Sequence, residues 1–211
     1  MDRRSFLAGA AAATAVAAGL PARATVAAPA IGSAAPEFQG VTAEGRTVSL
    51  SQLRGKVVVL EWTNHDCPFV RKHYNSDNMQ ALQREAKERG VVWLTVVSSP
   101  PGEQGHVTPA QALDLSRSRK AEPAHVVLDP KGTIGRSYGA QVTPHMYVID
   151  AGGVLRYMGA IDDKPSANPE TVKTASNYVR PAIAALLEGK PVATPVTRAY
   201  GCSIKLAPQT T

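Results

Sequence analysis

Two cysteines, Cys67 and Cys202, stand in very different settings. Cys67 follows the apolar run Lys56-Val57-Val58-Val59-Leu60-Glu61-Trp62 and directly precedes Pro68. A near-continuous run of β-branched residues reads as a strand buried on both faces. Proline, with its fixed φ and missing N–H, suits the first position of a helix. The spacing therefore places Cys67 at a strand-to-helix junction, where unpaired N–H groups and the positive end of the helix dipole favour thiolate over thiol. His65, Arg71, Lys72 and His73 offer positive charge nearby, and Asp66 opposes it. The competing reading is a buried, inert cysteine at a strand end.

Cys202 lies in Tyr200-Gly201-Cys202-Ser203, within a segment of little apolar periodicity that stays mobile unless something ties it down. Docked near the helix start, it would attack a sulfenic acid formed on Cys67, release water and leave a disulfide for an external reductant to open. A permanent structural disulfide, worth roughly 4 to 5 kcal/mol in the chain-entropy model for so long a loop, is a second possibility. Two independent thiols are a third.

These residues need elements to hold them. Pro36 to Leu53 reads as a hairpin around Glu44-Gly45. The helix begun at Pro68 breaks at Asn75-Ser76-Asp77-Asn78, where Asp77 and Gln80 have capping-box spacing, and a second piece buries Met79, Leu82 and Ala86 before stopping at Gly90. Val91 to Val97 is the next strand. Thr108-Pro109-Ala110-Gln111 supplies N-cap, N1 proline and N3 glutamine for a helix through Arg119. Strands follow at 126–128, 146–149 and 154–158, with a short helix at 134–138. Asn168-Pro169 opens a last helix, carrying Val172, Val179, Ile183 and Leu187, kinked by Pro181 and ended by Gly189. The alternation predicts one α/β domain with a mixed sheet. Asp162-Asp163 reads as a solvated turn.

The first residues read as an address rather than a fold. Arg3-Arg4 precede an uncharged apolar stretch from Phe6 to Leu20 and then Pro-Ala-Arg-Ala, the pattern of an export signal of twin-arginine type cleaved after Ala24. About 15 apolar residues fall short of the roughly 20 that span a bilayer. The expected organisation is a signal over 1–24, a flexible segment over 25–35, a domain over 36–190 and a tail over 191–211. A mature product in the periplasm or outside the cell, with no membrane attachment, follows. Setting aside Asp2, Arg3, Arg4 and Arg23 lowers the formal charge from +6 to +4. A charge that mild and scattered argues against a nucleic-acid partner.

The hairpin, the strand ending in Trp62, the Cys67-Pro68 helix start and a later Thr143-Pro144 before a strand together resemble the thioredoxin-fold redoxins, over about residues 32 to 190. Asn64-His65-Asp66-Cys67-Pro68-Phe69-Val70 is similar to the N-H-C-P-Y-V type motif of the peroxiredoxin-like, alkyl-hydroperoxide-reductase-like (AhpC/TSA) branch, with Asp66 as an extra residue. The resemblance implies a thioredoxin-like three-layer fold, a central mixed sheet flanked by helices with an N-terminal β-hairpin. It also implies catalysis at Cys67, for which Cys202 is the possible resolving thiol, and a supporting set of Trp62, Thr63, Asn64, Pro68, Thr143 and Pro144. Pro144 would be cis against the cysteine, and Thr143 would offer its backbone to substrate. The implied partners are a peroxide or disulfide substrate and an exported thiol reductant, with no organic cofactor and no metal. Two features depart from the pattern. Valine at position 70 removes the second thiol of a C-x-x-C. Peroxiredoxins place Thr or Ser three residues before the cysteine and Pro seven before, where this chain has Asn64 and Leu60, with Thr63 displaced by one. Copper binding by Cys67 with His65, His73 and His145 is an alternative, as is a redox-inert domain locked by a Cys67–Cys202 bridge.

Overall fold

The computed structural model describes residues 29–208. The expected export signal over 1–24 lies outside them. Among the described residues no helix is long and apolar enough to cross a membrane.

The sheet is built on β3 (Val58–Trp62), all five residues of which are buried. Its side chains alternate between two core clusters. Val59 joins Cys67, Val70, Met79, Leu82 and Ile183 on one face, whereas Val58, Leu60 and Trp62 join Ile134, Tyr138 and Tyr147 on the other. Burial on both faces explains why the run reads as continuously apolar. Around β3 the seven strands follow the order β2 (Thr47–Ser49), β1 (Gln39–Thr42), β5 (His125–Leu128), β4 (Val92–Val97), β3, β7 (His145–Ile149) and β8 (Leu155–Gly159). β3 runs parallel to β4 and antiparallel to β7, so the sheet is mixed. Helices α1 (Pro68–Asn75), α2 (Asn78–Glu88) and α5 (Val179–Leu187) cover the first face. The short α4 (Thr133–Ser137) lies on the second, and α3 (Pro109–Ser118) closes a smaller cluster with Val97, Val107, Ala112 and Val126. This is the expected thioredoxin-like arrangement of helices on both faces of a mixed sheet.

Register then does the positioning. Trp62, the last residue of β3, pairs with His145, the first of β7. The chain leaving β3 toward Cys67 and the chain entering β7 from Pro144 therefore emerge side by side at one end of the sheet.

Several local expectations hold and others need correction. The Thr108 capping box forms, with Gln111 N–H donating to Thr108 Oγ1 at 3.3 Å and Thr108 N–H to Gln111 Oε1 at 2.8 Å. The break between α1 and α2 also forms, but Asp77 makes no cap. It adopts a left-handed conformation, φ 59°, and pairs its carboxylate with Arg84 at 2.6 Å. The helix expected from Asn168 is two pieces, a 3-10 turn at Pro169–Thr174 and α5. Pro181 falls in the first turn of α5, where its missing N–H has no intrahelical partner to lose, and so starts the helix instead of kinking it.

The described part of the segment expected to be flexible is docked. Ala34 bridges Val154, Gly32 N–H donates to Leu155 O at 2.9 Å, and Ala35 is buried. Asp162, expected in a solvated turn, is buried against the Lys72 ammonium at 3.1 Å. A lone buried carboxylate would be costly, and the cation 90 residues away is what permits it.

Candidate active site

The turn between β3 and α1 is shaped by Asn64. Its Oδ1 accepts from Asp66 N–H at 2.9 Å, and its backbone carbonyl accepts from Cys67 N–H at 3.1 Å. Asparagine bonding its own backbone two residues on is a common way to tighten a turn. Gly105, at φ +88°, packs directly on the Asn64 amide, and a Cβ there would lie 2.5 Å from Asn64 Cγ. Thr63 N–H donates to Val96 O at 3.0 Å, and Arg119 reaches from the end of α3 to His65 O at 3.2 Å. Held from these sides, Cys67 becomes the N-cap of α1, with Pro68 at N1. Trp62 lies on the opposite face, its indole N–H donating to Ser98 Oγ at 3.0 Å. It fixes the end of β3 from within the core.

Beneath α1, Glu61 is buried and accepts hydrogen bonds from Tyr74 OH and Trp93 Nε1 at 2.9 Å each, from Gln83 Nε2 at 3.2 Å and from Thr95 Oγ1 at 3.3 Å. Burial pushes its carboxyl above the usual range, against the pull of these four donors. Through Tyr74 it ties α1 to the sheet.

Opposite the helix start, the Thr143–Pro144 peptide is cis, as expected. Cys67 Sγ lies 3.1 Å from Thr143 O. The tail arrives at the same point. β9 (Cys202–Ser203) pairs antiparallel with β6 (Val142–Thr143), and Cys202 stands directly across from Thr143. Both cysteines are free thiols, and Cys202 packs against the core cluster that contains Cys67. Cys67, Thr143, Pro144 and Cys202 thus converge, with Pro68 and Asn64 behind them, whereas Trp62 faces away.

The two thiols are tuned in opposite directions. Burial alone would raise Cys67, but hydrogen bonds with the Cys202 thiol and Thr143, and with the Val70 and Cys202 backbone, bring it below the ordinary thiol value. The S–H contact to Thr143 O favours the protonated form, and the remaining donors favour the thiolate and prevail. Thr143 Oγ1, on the same residue, is buried without a hydrogen-bond partner. Cys202 is pushed up to about 12, by burial and then by the neighbouring Cys67.

Imidazoles contribute little positive charge. His65 is lowered chiefly by burial, and His73 and His145 are each lowered to about 4 by the same cause. His73 contacts Asn78 Nδ2 through Nδ1 at 2.8 Å and Tyr200 OH through Nε2 at 3.4 Å, and His145 Nδ1 faces Tyr147 OH at 3.3 Å. Among the described residues no three His, Cys, Asp or Glu side chains are grouped to hold a metal.

Cys67 is 0% exposed. The tail against it is held at several stations that the sequence reading missed. Thr197 N–H donates to Met158 O at 3.1 Å, Tyr200 enters a buried polar cluster, Ile204 N–H donates to Gln141 O at 2.9 Å, and Leu206 lies on Gly132 and Gly135. The one local signal was Gly201. Its φ is +139°, and a Cβ there would stand 1.9 Å from Thr143 O, so only glycine brings the strand this close.

A family model described as the AhpC/TSA family matches residues 31–158. A search of curated proteins returns no match. Among solved structures, an uncharacterized conserved protein from Geobacillus kaustophilus is 24% identical with a TM-score of 0.73, the alignment covering 86% of this chain and 94% of that one. A hypothetical protein from Sinorhizobium meliloti is 20% identical with a TM-score of 0.73, covering 87% and 98%. A Chlorobium tepidum protein described as a thiol:disulfide interchange protein, DsbE, is 25% identical with a TM-score of 0.55, covering 76% and 99%.

Proposed function

The chain belongs to the AhpC/TSA family of thioredoxin-fold, thiol-dependent redox proteins, and on that premise we propose that it is an exported oxidoreductase in which Cys67 is the nucleophile and Cys202 the resolving thiol. The observation that carries this reading is the meeting of the two sulfurs at Thr143–Pro144, with Cys67 biased toward thiolate and Cys202 toward thiol.

With a hydroperoxide as oxidant, the Cys67 thiolate attacks the distal oxygen. The O–O bond breaks, an alcohol leaves after taking a proton, and Cys67 becomes a sulfenic acid. The Cys202 sulfur then attacks Cys67 Sγ, and the hydroxyl departs as water with the Cys202 proton. Once Cys67 is oxidised it no longer raises Cys202, which eases the second step. With a disulfide as oxidant, Cys67 instead forms a mixed disulfide and Cys202 displaces the second thiol. Both routes end in a Cys67–Cys202 disulfide, which an exported dithiol reopens. Each bond made or broken lies between sulfurs or at the oxidant, so the steps require no organic cofactor. Export rests on the Arg3-Arg4 segment and its small-residue cleavage pattern.

The test is to add one equivalent of hydrogen peroxide, or of an aromatic disulfide, to the reduced protein and to its Cys202→Ser variant. The variant is expected to accumulate a dimedone-reactive sulfenic acid or a mixed disulfide at Cys67, and the wild type is not. Absence of any Cys67 adduct in both proteins, with both oxidants, would overturn the proposal.

A further inference from the structure

Lys72, His73 and Asp162 are buried beside the site and take no part in the thiol chemistry. Lys72 Nζ donates to Asp162 Oδ2 at 3.1 Å and to Lys164 O at 2.8 Å. The tail completes the cluster. Tyr200 OH donates to Asp162 Oδ1, lies 3.3 Å from Lys72 Nζ and 3.4 Å from His73 Nε2, and its ring stands edge-on to Phe69 with centroids 5.8 Å apart. A buried ion pair is costly unless its remaining donors and acceptors are met. Here the phenol meets both partners at once. Two residues later comes Cys202.

We propose that Tyr200 is a positioning residue: seated in the Lys72–Asp162–His73 cluster, it holds the tail strand on Thr143, which presents Cys202 to Cys67 and closes Cys67 to outside reagents. The inference rests on the redox reading above and deepens it. Docking and access oppose each other, because Cys67 has no exposed surface while Cys202 is seated. An oxidant reaches the sulfur only when the strand lifts, and the sulfenic acid is resolved only when it returns. Room for that movement exists. Clefts of ≈ 530 Å³ each flank the segment, one beside Asp162, Pro165 and Tyr178 and the other beside Gly139, His145 and Met158, and Thr197, Arg198 and Ala199 line both.

Three variants separate positioning from general stability. Tyr200→Phe keeps the ring against Phe69 and removes the hydroxyl. Tyr200→Ala removes the anchor, and Gly201→Ala pushes the strand off Thr143 without touching the cluster. In a Cys202→Ser background, iodoacetamide is expected to alkylate Cys67 about tenfold faster with Tyr200→Phe, the change expected for one hydrogen bond to a charged group, and faster still with the other two. With Cys202 present, closure of the disulfide after a peroxide pulse is expected to slow in Tyr200→Ala and Gly201→Ala, opposite in sign to the alkylation change. Unchanged alkylation in all three variants, or closure as fast as in the wild type, would overturn the proposal. The alkylation arm needs no turnover, so it still reports on the strand if the redox reading itself fails.

Discussion

The two cysteines meet, but they are held by different kinds of structure. Cys67 sits where a fully buried strand turns into a helix, fixed by the Asn64 turn, by Gly105 packed on Asn64 and by the paired ends of β3 and β7. Cys202 sits on a two-residue strand in a segment held at scattered points, by hydrogen bonds of Thr197 and Ile204, by Leu206 on Gly132 and Gly135, and by Tyr200. The first arrangement costs the whole core to undo. The second costs the contacts of one peripheral segment, fewer than those of the core, and segments held that way are the ones that open first. In the proposed cycle the nucleophile stands on a rigid element and the resolving partner on a removable one, as needed for one sulfur first to admit an oxidant and then to be covered.

The largest effect that sharpens this comparison is Cys67→Ser, expected to abolish oxidant-dependent consumption of a dithiol, measured by following donor oxidation. Cys202→Ser is expected to retain the first oxidation and lose the internal disulfide, so that turnover falls to the rate at which an external thiol reaches Cys67. Equal losses from the two substitutions at both steps would erase the distinction.

How much of this is legible in the chain follows the same division. The Cys67-Pro68 helix start and the Thr108 capping box are written in neighbouring residues, because caps are local chemistry, whereas the cis Thr143-Pro144 is expected from the family resemblance. The docking of the tail is not local. Tyr200 is recognised by Lys72, 128 positions away, and Asp162 looks solvated until that same lysine is brought beneath it. Pro181 misled for a related reason, since whether a proline kinks or starts a helix depends on where packing begins the helix. The charged neighbours of Cys67 misled too. His65 and His73 are pressed toward neutrality by burial, and the thiolate bias comes from hydrogen bonds that only the fold supplies.

Burial of the imidazoles has its own consequence. His145 titrates at about 4 in the fold, lowered by burial alone, against an ordinary value of 6.5. The unfolded chain therefore takes up a proton between those two values that the folded chain refuses, so the contribution is intact above pH 6.5 and lost as pH falls toward 4. The loss is worth roughly 3 kcal/mol. Urea unfolding of the wild type and His145→Gln at pH 7 and pH 4.5 checks this, with a shallower acid loss expected in the variant. Equal acid losses would contradict a buried neutral ring. The smallest effect is expected from Thr143→Val, which removes a hydroxyl that helps lower Cys67. The pH at which alkylation of Cys67 reaches half its maximum should move up, toward that of an ordinary thiol.

The most direct measurement is the location of the bond formed on oxidation. Reduced protein is treated with one equivalent of hydrogen peroxide, quenched with an alkylating agent and digested without reductant, and its cross-linked peptides are identified by mass spectrometry. A Cys67–Cys202 link within one chain, formed with loss of both free thiols, is the result the account requires. Two free thiols after oxidant is consumed, or a Cys67–Cys67 link between chains, would contradict it.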